Sequence, residues 1–209
     1  MNRIPDSLDT VWRDILSLPY EVKPNFKACY YLPIRKREGD LQWRLMHGAY
    51  ATGTFLHNAR FTLNPECPFC HVKDSLLHIF LECNHVQPLL TYLTQLTSRL
   101  MQPDATVPVY WYFINPPART HAFADQRTLT LFVYLTSTAK YSIHTCRTVR
   151  IQCNEITNPL EIFKTRIRDR LRTEFEYYKL NQHLAPFINT WTINDIICSV
   201  NDNELDIVI

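Results

Sequence analysis

Four residues near the middle of the chain, Cys67, Cys70, His78 and Cys83, are spaced C-x2-C-x7-H-x4-C. Two thiolates from one tight turn, with an imidazole and a third thiolate from the segment that follows, suit the tetrahedral sulfur and nitrogen shell of a structural zinc ion. A shell filled by four protein ligands leaves no open position for chemistry, so the spacing predicts a folding element. A knuckle of about 20 residues buries too little surface to fold alone, and metal binding supplies on the order of 10 kcal/mol or more of the folding free energy of zinc-finger peptides. His71 and His85 stand close by as substitute imidazoles and are expected at the surface or behind the ligands.

Other chemistries for the same residues fit less well. Cys67-Pro68-Phe69-Cys70-His71 matches the C-x2-C-H spacing of c-type haem attachment, but that chemistry belongs to exported proteins and no signal sequence is seen. A redox pair at Cys67 and Cys70 would sit in a βαβ setting, which the flanking sequence does not predict. A zinc deaminase needs a Glu two residues after its ligand His, whereas Ile79 and Phe80 follow His78.

The 209 residues suffice for one domain or two small lobes, and 46% hydrophobic against 20% charged residues is a globular balance. Three glycines against 13 prolines exclude a Gly-rich phosphate loop. No window nears 18 apolar residues, so no membrane partner is expected, and the protein is placed inside the cell, in nucleus or cytoplasm. Cys29, Cys146, Cys153 and Cys198 lack partner spacing and read as small buried hydrophobes in a reducing compartment.

The periodicity predicts a mainly α fold, a helical domain with the Cys-Cys-His-Cys knuckle embedded in it and a short C-terminal β-hairpin. Leu8, Val11, Trp12, Ile15 and Leu16 form a helical stripe that ends near Pro19. A polar connector carrying Arg35, Lys36 and Arg37 follows, and a helix is expected from Asp40 as N-cap. Further helices are expected over 52–60, from Asp74 or Ser75 to Cys83, over 86–101, over 125–153 and from Asn158-Pro159 onward. The proline-rich aromatic run from Val107 to Arg119 reads as a strand or a packed loop. The ending IICSV-NDNE-LDIVI reads as two strands about a polar turn.

The formal net charge is +2, with four acids and no base in the last fifteen residues. A basic body with an acidic end is compatible with nucleic-acid contact. The candidate phosphate-binding residues are Arg35, Lys36, Arg37 and Arg44 on one side and Lys164, Arg166, Arg168, Arg170 and Arg172 on another. Glu161, Asp169, Glu174 and Glu176 partly neutralise the second group through i,i+3 and i,i+4 pairs.

DLQWRLMHGAYATGTFL, followed by CPFC and LLHIFLEC, resembles the reverse-transcriptase zinc-binding region near the C-terminus of non-LTR (LINE-type) retrotransposon polyproteins. The resemblance covers residues 30–100, and the segments LRTEFEYYKL and WTINDIICSV are similar to the tail of such polyproteins. It implies that Cys67, Cys70, His78 and Cys83 hold structural Zn2+ in an accessory domain that contacts RNA or DNA through basic helices. It also implies a detached C-terminal piece without polymerase activity, since the Tyr-x-Asp-Asp signature is missing. On this reading the chain divides into an N-terminal helix and connector (1–39), the zinc-binding domain (40–102), a helical region (103–194) and an acidic hairpin (195–209). The competing reading is a structural or interaction domain in which zinc is only a staple and the helices dock on a polymerase body or a second copy.

Overall fold

The computed structural model describes Leu16, Leu18 and residues 22–62, 64–118 and 120–209. Apart from Leu16 and Leu18, the helix expected before Pro19 lies outside the described residues. Seven α-helices follow: α1 (Lys36–Met46), α2 (Gly53–Asn58), α3 (Gln87–Ser98), α4 (Tyr110–Ile114), α5 (Gln126–Cys153), α6 (Pro159–Leu180) and α7 (Ala185–Trp191). A 3-10 turn, Phe26–Tyr30, precedes α1, a π-helical turn, His78–Glu82, precedes α3, and the strands β1 (Cys198–Asn201) and β2 (Glu204–Ile207) close the chain. The mainly helical class with a terminal hairpin is therefore as the sequence predicts. None of the described helices is long and apolar enough to cross a membrane.

The hub is α5. Asp125 caps it by accepting from the Thr128 amide at 2.8 Å, and Asn154 ends it in the left-handed region. Burial continues nearly all the way round from Leu131 to Lys140, because α1, α3, α6 and α7 pack against different sides of this helix. Helix α6 is amphipathic by contrast. Asn158 caps it, accepting from the Leu160 amide at 2.9 Å, Pro159 opens it, and Phe163, Ile167, Leu171 and Phe175 are its buried stripe. Each such side chain contributes about 1.5–3 kcal/mol by leaving water. One cluster of buried hydrophobic residues runs from Leu18 to Ile209, so knuckle, α5 and hairpin share a core.

The hairpin pairs Cys198 with Ile207 and Asn201 with Glu204. Its two-residue turn, Asp202-Asn203, has φ of 50° and 61°, and these residue types tolerate the positive φ that a type I′ turn requires.

Three local expectations are corrected. Helix α1 begins at Lys36, four residues before Asp40, because Glu38 at the third helical position returns its carboxylate to the Arg35 amide at 3.3 Å. The basic run is thus the first turn of a helix and not a connector. The aromatic run 107–119 contains a short helix, with Trp111, Tyr112, Phe113 and Ile114 all buried. Of the four scattered cysteines, Cys29, Cys146 and Cys198 are buried, but Cys153 is exposed because it lies in the last turn of α5, past the packing of its neighbours.

Candidate metal centre

The segment from Pro65 folds back on itself through three backbone bonds, Asp74 amide to Pro65 carbonyl (3.1 Å), Cys67 amide to Val72 carbonyl (2.7 Å) and His71 amide to Cys67 carbonyl (3.0 Å). His71 supplies the left-handed residue that closes the turn, with φ of 59°. This turn points Cys67 and Cys70 to one side. Ser75 then accepts from the His78 amide at 3.1 Å and starts the segment that carries the other two donors.

That segment was expected to be an ordinary helix, and the difference matters for the site. Residues five apart on an α-helix lie about 140° apart around the axis, at 3.6 residues per turn. Here the Cys83 amide donates to the His78 carbonyl at 2.8 Å, the five-residue bond of a π turn, which widens the coil and brings His78 and Cys83 to the same side. No residue type announces a π turn.

The donor atoms of Cys67, Cys70, His78 and Cys83 all lie within 4.8 Å of one another. Cys67 and Cys83 sulfurs are 3.9 Å apart, Cys70 and Cys83 sulfurs 3.8 Å, and Cys70 sulfur lies 3.0 Å from His78 Nε2. A tetrahedron with metal–sulfur arms of 2.3 Å has edges of about 3.8 Å, so the two sulfur–sulfur separations have the dimension a four-coordinate ion requires. The group can hold a metal ion. Cys67, His78 and Cys83 are buried and Cys70 is half-buried. Beside Cys67 and Cys83, Phe69, Ile79, Val86 and Ile143 line a small, mostly apolar cavity.

The electrostatics favour negative charge at one sulfur. Hydrogen bonding from Cys83, then the amides of Phe69 and Cys70 and the His78 side chain, outweigh burial and pull the Cys67 thiol down to about 4. The thiolate at Cys67, together with burial, pushes Cys83 up, while burial first and then Cys67 push Cys70 up. A bound cation would take the place of the protons that this crowding holds on the other two sulfurs.

The sequence did not disclose what anchors the knuckle. Asp74 is buried and forms a two-pronged ion pair with Arg147 of α5, Oδ1 to Nη1 at 2.8 Å and Oδ2 to Nη2, and it also accepts from the Gly53 amide. A Cβ on Gly53 would meet Asp74 Oδ2 at 2.8 Å, so this approach requires glycine. Burial pushes the Asp74 carboxyl up, and the Arg147 guanidinium opposes it. Arg150, one turn further along α5, donates from Nε to the Pro68 carbonyl at 3.2 Å inside the Cys67–Cys70 turn. His85 stacks on Phe69 (centroids 4.1 Å, planes 11° apart) and its Nε2 lies 2.9 Å from the Thr157 carbonyl, so it braces the turn from outside the cluster. His71 points to solvent near Glu66, at 3.9 Å.

Comparison with known proteins gives one informative result. The chain is similar to a transposon protein. The match is to the Transposon TX1 uncharacterized 149 kDa protein of Xenopus laevis, 32% identical over 203 residues, which is 95% of this chain and 14% of that protein. The likeness supports a transposon-related origin, and the chain spans about one seventh of the relative's length. No model of a protein family matches the sequence, and no solved structure matches it significantly.

The nine basic candidates fall into two settings. Arg35, Lys36 and Arg37 cap and open α1 and Arg44 lies in its last turn, and all four are exposed. Helix α6 places its bases along both flanks of the buried stripe, and most have partners within the chain. Lys164 lies over the Tyr92 ring at 4.5 Å, Arg166 over the Tyr141 ring at 4.4 Å, and Arg168 donates to the Ile209 carbonyl at 3.0 Å. Arg170 pairs with Glu174, and of the five only Arg172 is exposed, the others being half-buried.

Proposed function

We propose that this chain is a zinc-stapled, nucleic-acid-binding accessory segment of a retrotransposon-encoded protein, related to the zinc-binding region that follows a reverse transcriptase. The observation that carries the zinc assignment is the convergence of three sulfurs and one imidazole nitrogen within 4.8 Å of one another, two of the sulfur pairs at the edge length of a zinc tetrahedron, a donor set suited to zinc. Cys67, Cys70, His78 and Cys83 would hold the ion, and with four protein ligands its contribution is to folding. Arg35, Lys36, Arg37 and Arg44 supply the phosphate contacts, with Arg172 as the accessible member of the α6 group. Binding of this kind is salt-sensitive and weakly sequence-specific, since each phosphate contact releases a counterion.

Metal analysis and fluorescence anisotropy on the same purified sample test the reading. One zinc per chain and micromolar binding to RNA or DNA that weakens between low and moderate salt are the expected results. A second reading is favoured by the internal engagement of the α6 bases and by exposed Leu32, Phe61, Ile156 and Leu180. On it the segment is an interaction module whose partner is a polymerase body or a second copy. Stoichiometric zinc, no nucleic-acid binding and concentration-dependent sedimentation would establish that alternative.

A further inference from the structure

The outer face of α1 carries aromatic rings that the core does not use. Lys36, Asp40, Trp43 and His47 follow one another at i, i+4, i+7 and i+11, a single row on a helix. The 3-10 turn Phe26–Tyr30 lies against this row in the opposite direction. At one end Phe26 stacks on His47, centroids 4.9 Å apart and planes 24° apart. At the other Tyr30 donates its hydroxyl to Asp40 at 3.3 Å, its ring lying over Gly39. A Cβ on Gly39 would meet the Cys29 carbonyl at 2.3 Å, so glycine is what lets the two segments come this close. His47 in turn holds Trp43, centroids 4.0 Å apart, yet Trp43 remains 43% exposed and Tyr30 54%. Exposed Lys27, Arg37 and Arg44 border the row, and the one acid on it, Asp40, is already bonded to Tyr30.

Rings stacked on or tilted against one another, partly open to solvent and bordered by cations, are the components of a stacking platform for unpaired bases. A duplex hides its base faces within its own stack, so such a platform discriminates strand state and not sequence. We propose that the Phe26–His47–Trp43 row binds single-stranded nucleic acid by base stacking, with Lys36, Arg37 and Arg44 on the flanking phosphates. This rests on the nucleic-acid reading above and deepens it, by naming the form of nucleic acid and the face that takes it.

The test is anisotropy of the full chain, zinc-loaded, against a labelled 12-nucleotide single strand and a hairpin duplex of the same sequence, as RNA and as DNA. Trp43→Ala is expected to weaken single-strand binding about fivefold or more, the lower end of what one stacked base contributes, and to leave duplex binding unchanged. Trp43→Phe restores most of the loss, because a ring is kept. Replacing Arg35, Lys36 and Arg37 together by Gln weakens both forms. Unchanged single-strand binding by Trp43→Ala, or equal loss on both forms, overturns the platform while leaving nucleic-acid binding standing. A wild-type chain that binds neither form overturns both readings. Sedimentation in which Trp43→Ala abolishes self-association, with nucleic-acid binding unchanged, assigns the face to a second copy instead.

Discussion

The knuckle around Cys67 and the helical body built on α5 belong to one core but are held by opposite means. The body has α1, α3, α6 and α7 packed about a helix buried on nearly all sides, so its stability is spread over many side chains of which no one decides the fold. The knuckle has a short backbone turn, a single π turn and four donor atoms, and it meets the body through a small share of the core around Ile79 and Phe80, one buried ion pair and the polar contacts of Arg150 and His85. Distributed burial tolerates single losses, whereas a few polar and coordinate contacts fail one at a time. The two regions should therefore respond very differently to a single substitution.

The largest effect is expected from the metal. Chelation, or Cys70→Ser, removes from the knuckle an interaction worth on the order of 10 kcal/mol in zinc-finger peptides, more than any other single contact there supplies. Hydrogen exchange should show residues 66–86 losing protection while α5 and α6 keep theirs. Retained zinc and unchanged melting in Cys70→Ser would refute the ligand assignment. Next in size is the bolt between the regions. Removing one partner of a buried ion pair costs about 3–5 kcal/mol, but the two halves of this pair are unequal. Arg147→Met leaves a carboxyl that burial already inclines toward its neutral form and that keeps the Gly53 amide. Asp74→Asn leaves a buried guanidinium, which cannot shed its proton. Thermal melts of the zinc-loaded variants should rank Asp74→Asn below Arg147→Met; the reverse order would mean that the pair is not what holds the knuckle on α5.

The same contrast explains what the sequence disclosed. The cap at Asn158, the stripe Phe163-Ile167-Leu171-Phe175 and the polar turn of the hairpin are local patterns, each legible because one residue type answers one backbone need, whereas the capping role of Asp125 at the expected start of α5 came only with the structure. The four clustered donors are legible for the same reason, as spacing in a short stretch. What the sequence withheld depends on distant parts of the chain. Asp74 reads as a helix cap until Arg147, 73 positions away, is brought to it. The bases of α6 read as a phosphate row until Tyr92, Tyr141 and Ile209 arrive as partners. Glu38 reads as part of a polar connector until its bond to the Arg35 amide moves the start of α1.

The smallest effect tests whether the body has a polar weak point of its own. Lys140, fully buried in the middle of α5, donates to the Tyr112 carbonyl, with its ammonium nitrogen 4.7 Å from the Tyr112 ring centre. Burial pulls its amine down from 10.5 to about 7, partly offset by Cys29. Between pH 7 and 9 the unfolded chain then holds a proton at this position that the folded chain has given up. Stability should rise with pH by about 1 kcal/mol per unit from 7 to 8 and level off toward 9 as thiols begin to ionise in the unfolded chain. Above 9 the sign reverses, because burial pushes Cys29 and Cys198 up to about 11 and about 12, and the unfolded thiols ionise first. Urea melts of the zinc-loaded protein at pH 7, 8 and 9 should show the rise, and Lys140→Met should flatten it. Equal slopes in the two proteins would mean that Lys140 stays charged inside the body, which would then depend, like the knuckle, on a single polar contact.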